Sequence, residues 1–298
     1  MNVSILGKGA WGLAIGELLQ AHGHTVQWLD KGDTALSRQA GMIVIALPTQ
    51  VIRGVLETLP LPSSPIPMVS LSKGIDILSG ERVSQIVSVR WPNAPFVSLS
   101  GPSLAGELRK KVPTAMVAAG LHDDWTQQVQ QIFHGPCLRV YRSRDLAGVE
   151  WGGALKNIYA LAAGMCAGLG LGENSLAGLV TRSLREMTRI AVHFGAQEQT
   201  LHGLSGMGDL VLTSYSRASR NRRVGERLGA GDPLEKALSS VEGICEGVPS
   251  TEALHRILQK QPIEAPVAEE LYQVIFKGKP PRDAMLSLLA RDPREERG

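Results

Sequence analysis

The chain has few cysteines, little net charge and no long apolar run. Its three cysteines are far apart and match neither a disulfide framework nor a zinc-ligand spacing, which favours a reducing compartment. The formal net charge of +3 is too small to indicate a nucleic-acid partner. The longest weakly polar run, residues 158–171, is too short and too rich in glycine to span a bilayer. We therefore expect a cytoplasmic protein with no membrane span.

The length of the chain and the positions of its histidines indicate how many domains to expect and whether to expect a metal site. A chain of 298 residues is expected to form two domains. The seven histidines are scattered, and no two of them form a metal-ligand pair on a predicted helix face. We expect no metal site, and a homodimer on base rates alone.

A glycine-rich turn follows the first apolar stretch of the chain. The stretch at residues 3–6 predicts a buried strand, and apolar residues at helical spacing follow the turn. Gly7 would allow a tight turn, Gly9 would let the backbone approach a pyrophosphate, and Gly12 would let the helix pack on the strand. The order of strand, G-x-G-x-x-G and helix predicts a dinucleotide-binding site at the N-terminus of that helix.

The next strand, residues 25–29, ends at an acidic residue. Asp30 lies about 20 positions after the turn, where a carboxylate accepts the ribose 2′-hydroxyl and favours NAD over NADP. Lys31 follows and could instead contact a 2′-phosphate, and Asp30 could simply be a turn residue. The cofactor is therefore NAD or NADP, with a slight preference for NAD.

Short apolar stretches alternate with helical spacing over the first half of the chain. This alternation predicts a Rossmann-like, doubly wound parallel sheet over residues 1–143. Residues 144–298 have an almost entirely helical pattern, which predicts an all-α second domain that binds the substrate. Loops that follow strands open on the ligand crevice, so Lys73 and Ser103 are candidate site residues. The further predicted strands are residues 42–47, 68–71, 96–99, 114–119 and 138–141.

One lysine interrupts an apolar, glycine-rich helical run. Lys156 is the only residue between Leu155 and Leu171 that is expected to carry a charge near neutral pH. Burial of an ammonium group is costly and lowers its pKa, which suits a catalytic acid or base. The alternative is a lysine at the edge of the helix whose ammonium reaches solvent.

Two polar segments lie further along the helical half. Residues 219–223 read Ser-Arg-Asn-Arg-Arg and open a short helix, where cations oppose the helix dipole unless an anion is bound. Ser219, as the N-cap, Arg220 and Asn221 could donate to a phosphate, although a solvated basic face explains the charges equally well. Asp209 follows a glycine-rich turn and would present a carboxylate or cap the next helix.

The motifs together resemble bacterial-type NAD(P)-dependent glycerol-3-phosphate dehydrogenase over nearly the whole length of the chain. The lysine–asparagine helix, the glycine–aspartate turn and the serine–arginine–asparagine segment, in this order, are the specific part of the resemblance. The matching segments are residues 7–12, 72–75, 99–107, 152–157, 206–210, 219–225 and 246–247.

The resemblance implies a fold, an activity and a site. The second domain would be of the 6-phosphogluconate dehydrogenase-like type, and the reaction would interconvert sn-glycerol 3-phosphate and dihydroxyacetone phosphate for phospholipid synthesis. Lys156 would be the proton acceptor. The implied substrate contacts are Lys73, Gly101, Ser103, Lys156, Asp209, Ser219, Arg220 and Asn221. The implied cofactor contacts are Gly7, Gly9, Trp11, Gly12, Lys31, Lys73, Ala105, Arg220, Ile244 and Glu246.

The chain departs from the family at the adenosine end of the cofactor site. The segment between Asp30 and Met42 is much shorter than is usual, and Asp30 replaces the arginine that is common in the family. A β-hydroxyacid or 6-phosphogluconate-type dehydrogenase is an alternative, although the serine–arginine–asparagine segment is not expected there. A non-catalytic, dinucleotide-binding regulator is a second alternative, made plausible by the shortened segment.

Overall fold

The computed structural model describes residues 1–33, 36–37, 39–60, 65–293 and 295–296. A seven-stranded sheet occupies the first half and helices occupy the second half, as the sequence predicts. The strands are β1 (Asn2–Leu6), β2 (Thr25–Leu29), β3 (Ala40–Ile45), β4 (Met68–Ser70), β5 (Phe96–Ser100), β6 (Thr114–Gly120) and β7 (Leu138–Ser143). The helices between them are α1 (Ala10–Ala21), α2 (Thr49–Thr58), α3 (Val83–Arg90), α4 (Ala105–Arg109) and α5 (Asp123–Phe133).

The sheet has the order β2-β1-β3-β4-β5-β6-β7, with apolar residues of both faces buried under helices. The strand order reverses beside β1, so the glycine turn lies at the switch point where dinucleotides bind in doubly wound folds. The prediction of a wholly parallel sheet is wrong at one pair, because β6 runs antiparallel to β5. The connection at residues 101–113 contains only the five-residue helix α4. This helix is too short to carry the chain back to the end of the sheet where β5 begins, as a parallel neighbour would require.

The second half of the chain is helical. After the last strand, Asp145 caps the first long helix by accepting a hydrogen bond from the Gly148 N–H at 2.8 Å. The helices are α6 (Leu146–Gly168), α7 (Gly172–His193), α8 (Glu198–Leu201), α9 (Asp209–Tyr215), α10 (Arg220–Gly229), α11 (Leu234–Ser239), α12 (Gly247–Leu258), α13 (Pro266–Lys277) and α14 (Pro281–Leu289), with a π-helical turn at Leu204–Gly208. The predicted division between residues 143 and 144 falls between β7 and this cap.

No described helix is both long and apolar enough to cross a membrane. The described residues also include no group of three or more histidine, cysteine or acidic side chains that could hold a metal ion.

Helices α6 and α10 pack with their backbones in contact. A Cβ atom at Gly164 or Gly168 of α6 would overlap a carbonyl oxygen of α10, and a Cβ atom at Gly225 or Gly229 of α10 would overlap a carbonyl oxygen of α6. Glycines four residues apart on both helices leave grooves that only another backbone fills. This contact brings the N-terminus of α10 close to the middle of α6, where Lys156 lies.

We predict that Gly225→Ala lowers the free energy of unfolding by about 3 kcal/mol or more, because the new methyl group would overlap the Leu161 carbonyl oxygen. Urea denaturation followed by circular dichroism measures this. Gly178→Ala in α7 is the matched control, since its Cβ atom would meet nothing within 4 Å. That control should gain about 0.5–1 kcal/mol from helix propensity. Equal stability of the two variants would contradict the backbone contact.

Candidate active site

Lys156 lies in the interior of the helical half. Helix α6 is buried over nearly its whole length, because alanine, glycine and leucine dominate it, and only 8% of Lys156 is exposed. Its Nζ atom lies 3.0 Å from Asp209 Oδ1 and donates to Thr213 Oγ1 at 2.8 Å. The Thr213 hydroxyl donates in turn to the Asp209 carbonyl oxygen at 2.6 Å, so its lone pairs face the lysine. Lys156 is therefore a buried, partnered lysine and not one at a helix edge.

Asp209 links this lysine to a second one. Its carboxylate is fully buried at the start of α9, and Oδ2 lies 2.6 Å from Lys73 Nζ. Lys73 follows β4 and also donates to the Gly101 carbonyl oxygen at 3.1 Å. Gly101 follows β5 and has a φ of 146°, a backbone conformation that favours glycine. Asp209 caps no helix through its side chain, because both of its oxygens serve the two ammonium groups.

The charges in this cluster shift one another's proton affinities. Burial lowers the pKa of Lys156 to about 8, and the charges of Lys73 and Arg220 add to this effect while Asp209 opposes it. Burial alone would raise the pKa of Asp209, but the ammonium groups of Lys156 and Lys73 outweigh it and lower that pKa. The cluster therefore holds an ionised carboxylate beside an amine that can exchange a proton near neutral pH.

A chain of amide side chains connects α10 to the loop that carries Lys73. Asn157 donates to the Lys73 carbonyl oxygen at 3.1 Å and accepts from Asn221 Nδ2 at 2.8 Å. Asn221 Oδ1 accepts from the Gly247 N–H at 2.9 Å and from the Cys245 thiol at 3.1 Å. Most of the hydrogen-bonding capacity of Asn221 is therefore used within the protein, which leaves one N–H of its amide for a ligand.

The N-terminus of α10 lies on the same side of the cluster. The predicted N-cap is confirmed, because Ser219 Oγ accepts from the Arg222 N–H at 3.2 Å. Arg220 is exposed, and its charge contributes to lowering the pKa of Lys156 and opposes the rise that burial causes in the pKa of Glu246. Arg222 donates instead to the Tyr215 carbonyl oxygen. Ser219, the N-cap, and Arg220, the first residue of α10, thus add polar atoms to the remaining N–H of Asn221 at this end of the helix.

The glycine turn has the geometry that a dinucleotide requires. Gly7 has a φ of 104°, and a Cβ atom there would lie 2.6 Å from the Ala46 carbonyl oxygen. A Cβ atom at Gly12 would overlap the Gly7 carbonyl oxygen, whereas one at Gly9 would meet nothing within 4 Å. Gly9 is the N-cap of α1 and makes no side-chain hydrogen bond, so the first backbone N–H groups of α1 have no side-chain cap. Trp11 packs against the core beside the sheet.

Glu246 reaches across from the helical half to the sheet half. Its Oε1 accepts from the Thr49 N–H at the start of α2, at 3.2 Å, and burial raises its pKa to about 7. Ile244 lies just before it with 47% of its surface exposed. Ser103, near the cluster, donates to the Gly101 carbonyl oxygen at 2.9 Å.

The remaining candidates are not joined to this cluster by hydrogen bonds. Ala105 begins α4, and its side chain packs beside the sheet. Lys31 is exposed at the end of β2, where its N–H donates to Asp30 Oδ1 at 2.8 Å. Within the described residues, no hydrogen bond or ion pair connects Lys31 with Lys73, Lys156 or Asp209.

Sequence reasoning missed two residues that hold the site together. Thr213 lies four residues after Asp209, on the same face of α9, and this spacing could have identified it. Asn157 belongs to a matching motif, but its bridge between Lys73 and Asn221 depends on contacts between distant segments.

We predict that Asp209→Asn destabilises the protein by about 3–5 kcal/mol, because it leaves the buried Lys156 ammonium and the partly buried Lys73 ammonium without a counter-charge. Because a neutral lysine removes the repulsion, the deficit should be smaller at about pH 9 than at about pH 7. Urea denaturation at both pH values measures this. Glu252→Gln, which breaks a half-exposed pair with Arg256, is the control and should cost under about 1 kcal/mol. A deficit no larger than the control's would contradict the prediction.

Comparison with known proteins identifies the family. A family model described as NAD-dependent glycerol-3-phosphate dehydrogenase C-terminus matches residues 145–286, and the corresponding N-terminus model matches residues 32–126. A protein of Acaryochloris marina named glycerol-3-phosphate dehydrogenase (NAD(P)+) is 40% identical over 301 residues, which are 99% of this chain and 97% of that protein. One of Geobacter metallireducens with the same name is 38% identical over 332 residues, at 100% and 99% coverage. The crystal structure of glycerol-3-phosphate dehydrogenase from Coxiella burnetii has a TM-score of 0.91 and 30% identity, and covers 97% of this chain and 99% of its own. The chain belongs to the glycerol-3-phosphate dehydrogenase family that these models describe.

Proposed function

We propose that this protein interconverts sn-glycerol 3-phosphate and dihydroxyacetone phosphate with NAD or NADP. The observation that supports this most strongly is the buried Lys156, held by Asp209 and Thr213 with a pKa lowered to about 8. A secondary alcohol and its ketone differ by a hydride and a proton, so the reaction needs a group that exchanges a proton near neutral pH.

The glycine turn fits the pyrophosphate of the cofactor. Gly9 leaves open space before the unpaired N–H groups of α1, and any side chain at Gly7 or Gly12 would overlap backbone. Trp11 and Ala105 would border the cofactor from the sheet half, and Ile244 and Glu246 from the helical half. When bound, the nicotinamide supplies or accepts the hydride.

Lys156 performs the proton transfer in this proposal. In alcohol oxidation, its neutral Nζ removes the proton of the substrate hydroxyl as a hydride leaves the carbon that bears this hydroxyl for the nicotinamide. In ketone reduction, the Lys156 ammonium donates that proton to the carbonyl oxygen as the hydride arrives. Asp209 stabilises the ammonium form, and the positive charge of Lys73 favours the neutral form, so both protonation states are accessible.

The substrate phosphate would bind at the N-terminus of α10. Ser219 and Arg220 would donate to it, together with backbone N–H groups of the first turn and the remaining N–H of Asn221. Lys73, Gly101 and Ser103 would border the carbon atoms of the substrate. Binding energy from the phosphate, which does not react, orients the reacting carbon.

The adenosine end of the site favours NAD. The Gly7 N–H donates to the Leu29 carbonyl oxygen at 2.8 Å, so the end of β2 lies beside the glycine turn. Asp30 follows immediately, and Asp33 closes the turn by accepting from the Asp30 N–H at 2.8 Å. A ribose 2′-hydroxyl can donate to Asp30, whereas two nearby carboxylates repel a 2′-phosphate more than Lys31 attracts it.

The metabolic and cellular expectations extend beyond the reaction. We infer that the product glycerol 3-phosphate supplies phospholipid synthesis, that the protein acts in the cytoplasm, and that it forms a homodimer. These three statements stay predictions.

Lys156→Ala should lower turnover about 10²- to 10⁴-fold, because the proton donor is lost. The measurement is NADH oxidation with dihydroxyacetone phosphate, followed by absorbance. NADH affinity, measured by quenching of tryptophan fluorescence, should change little. Lys236→Ala, which removes an exposed lysine, is the control.

Near-normal turnover in Lys156→Ala would show that the assignment of Lys156 is wrong. Dihydroxyacetone without phosphate should not replace the substrate in the wild-type protein, because the α10 anchor is then unused. If the folded wild-type protein binds NADH but oxidises it with no phosphorylated substrate, the regulator alternative is favoured.

The cofactor preference can be tested in the same assay. The wild-type protein should have a kcat/KM roughly tenfold higher with NADH than with NADPH, because Asp30 gives a charge-assisted hydrogen bond to the 2′-hydroxyl. Asp30→Asn should reduce that ratio. Lys31→Gln is the matched variant at the next position and should leave the NADH value nearly unchanged. A wild-type preference for NADPH would overturn the role given to Asp30.

A further inference from the structure

The loop that carries Lys73 crosses from the sheet half to the helical half. It connects β4 to α3, and Lys73 lies near its beginning. Two residues later, Ile75 is fully buried in the hydrophobic core of the helical half. Gly80 faces Ile257 of α12, and Arg82 forms a 2.6 Å ion pair with Glu150 of α6. The position of Lys73 therefore depends on how this loop is held between the two halves.

Gln50 of α2 holds the loop immediately after Lys73. Its Nε2 donates to the Ile75 carbonyl oxygen at 2.8 Å, and its Oε1 accepts from the Ile77 N–H at 3.0 Å. One amide side chain thus replaces the hydrogen bonds that a neighbouring strand would give to alternate residues of an extended segment. One turn further along α2, Arg53 pairs with Glu81 at 2.5 Å and extends the contact along the loop.

We propose that Gln50 is a positioning residue, which fixes the loop so that the Lys73 ammonium stays against Asp209 and beside Lys156. The Lys73 backbone is held on one side by Asn157 at 3.1 Å, and the loop is held on the other side by Gln50. Without the Gln50 amide, residues 75–77 lose both polar anchors to α2. This inference rests on the proposed roles of Lys73 and Lys156.

Loss of these anchors would let the Lys73 ammonium move away from Asp209, and this movement would change the pKa of Lys156. The charged groups that face Lys156 are Asp209 from α9, Lys73 from the loop and Arg220 from α10. The charge of Lys73 lowers the pKa of Lys156, and Lys73 also competes with Lys156 for Asp209. If Lys73 moves away, both effects weaken, and the pKa of Lys156 rises. A loss of stability alone would not produce this change.

The test compares Gln50→Met with Gln130→Met. Methionine keeps the length of the side chain but makes neither hydrogen bond. Gln130 of α5 donates to the Val140 carbonyl oxygen at 2.8 Å within the sheet half and is remote in sequence from the Lys73 loop, so it is the matched control. The measurement is the pH dependence of kcat/KM for dihydroxyacetone phosphate reduction, whose alkaline limb reports loss of the Lys156 proton.

Gln50→Met is expected to lower kcat/KM about tenfold through displacement of the reacting groups and to move the alkaline limb to higher pH. Gln130→Met should leave the limb in place. An unmoved limb in folded Gln50→Met overturns the proposal, even if turnover falls, and so does an equal movement in both variants. If Gln50→Met does not fold, Gln50→Asn, which keeps a neutral amide but is one methylene too short to make both hydrogen bonds, is measured by the same criterion.

Failure of the proposed function gives a different result. If Lys156→Ala retains both its turnover and the alkaline limb, the role of Lys156 is wrong whatever Gln50 does. If Lys156→Ala is inactive and the wild-type limb is present, an unmoved limb in Gln50→Met contradicts the positioning role alone.

Discussion

One buried carboxylate shared by two lysines is the interaction on which the site depends. Asp209 lies in the helical half, Lys156 is its neighbour in that half, and Lys73 comes from the sheet half. The buried Lys156 needs a counter-charge, because desolvation of an ammonium group is costly, and the partly buried Lys73 shares the same one. The carboxylate therefore makes the burial of Lys156 tolerable and joins the two halves of the chain at the point where chemistry is proposed. Two further side chains of the helical half form hydrogen bonds across the same boundary. Asn157 donates to the Lys73 carbonyl oxygen, and Glu246 accepts from the Thr49 N–H.

The surrounding fold supports this arrangement through close approach of backbones. The glycines of α6 and α10 let Asn157 and Asn221 meet at 2.8 Å, which aligns the N-terminus of α10 with the lysines. At the other end of the crevice, the glycine turn brings the start of α1 against the sheet without side chains between them. Both places where an anion is proposed to bind are helix N-termini, so backbone N–H groups contribute to each.

The sequence predicted what local patterns encode. Lys156 stood out because it interrupts an apolar helical run, and Ser219 because its side chain suits an N-cap, and the structure confirms both the burial and the cap. The predicted direction of β6 is wrong. An apolar strand has the same composition in either direction, so its direction depends on the length of the connection that precedes it. The spacing of Asp209 and Thr213 relates these two residues to each other, but their contact with Lys156 could not be predicted, since it depends on the packing of α9 on α6. Asn221 was expected to face a phosphate, but tertiary contacts use most of its amide.

The contact between α6 and α10 also constrains how this protein can change over generations. Most core contacts can adjust, because a larger side chain on one element is accommodated by a smaller one on its neighbour. Here the touching atoms belong to the main chain, so there is no neighbouring side chain to shorten. A methyl group at one of these glycines should therefore be relieved by reversion to glycine and not by a smaller side chain on the facing helix. The position of α6, which carries Lys156, is thereby fixed by main-chain atoms, whose size does not change when a side chain is substituted.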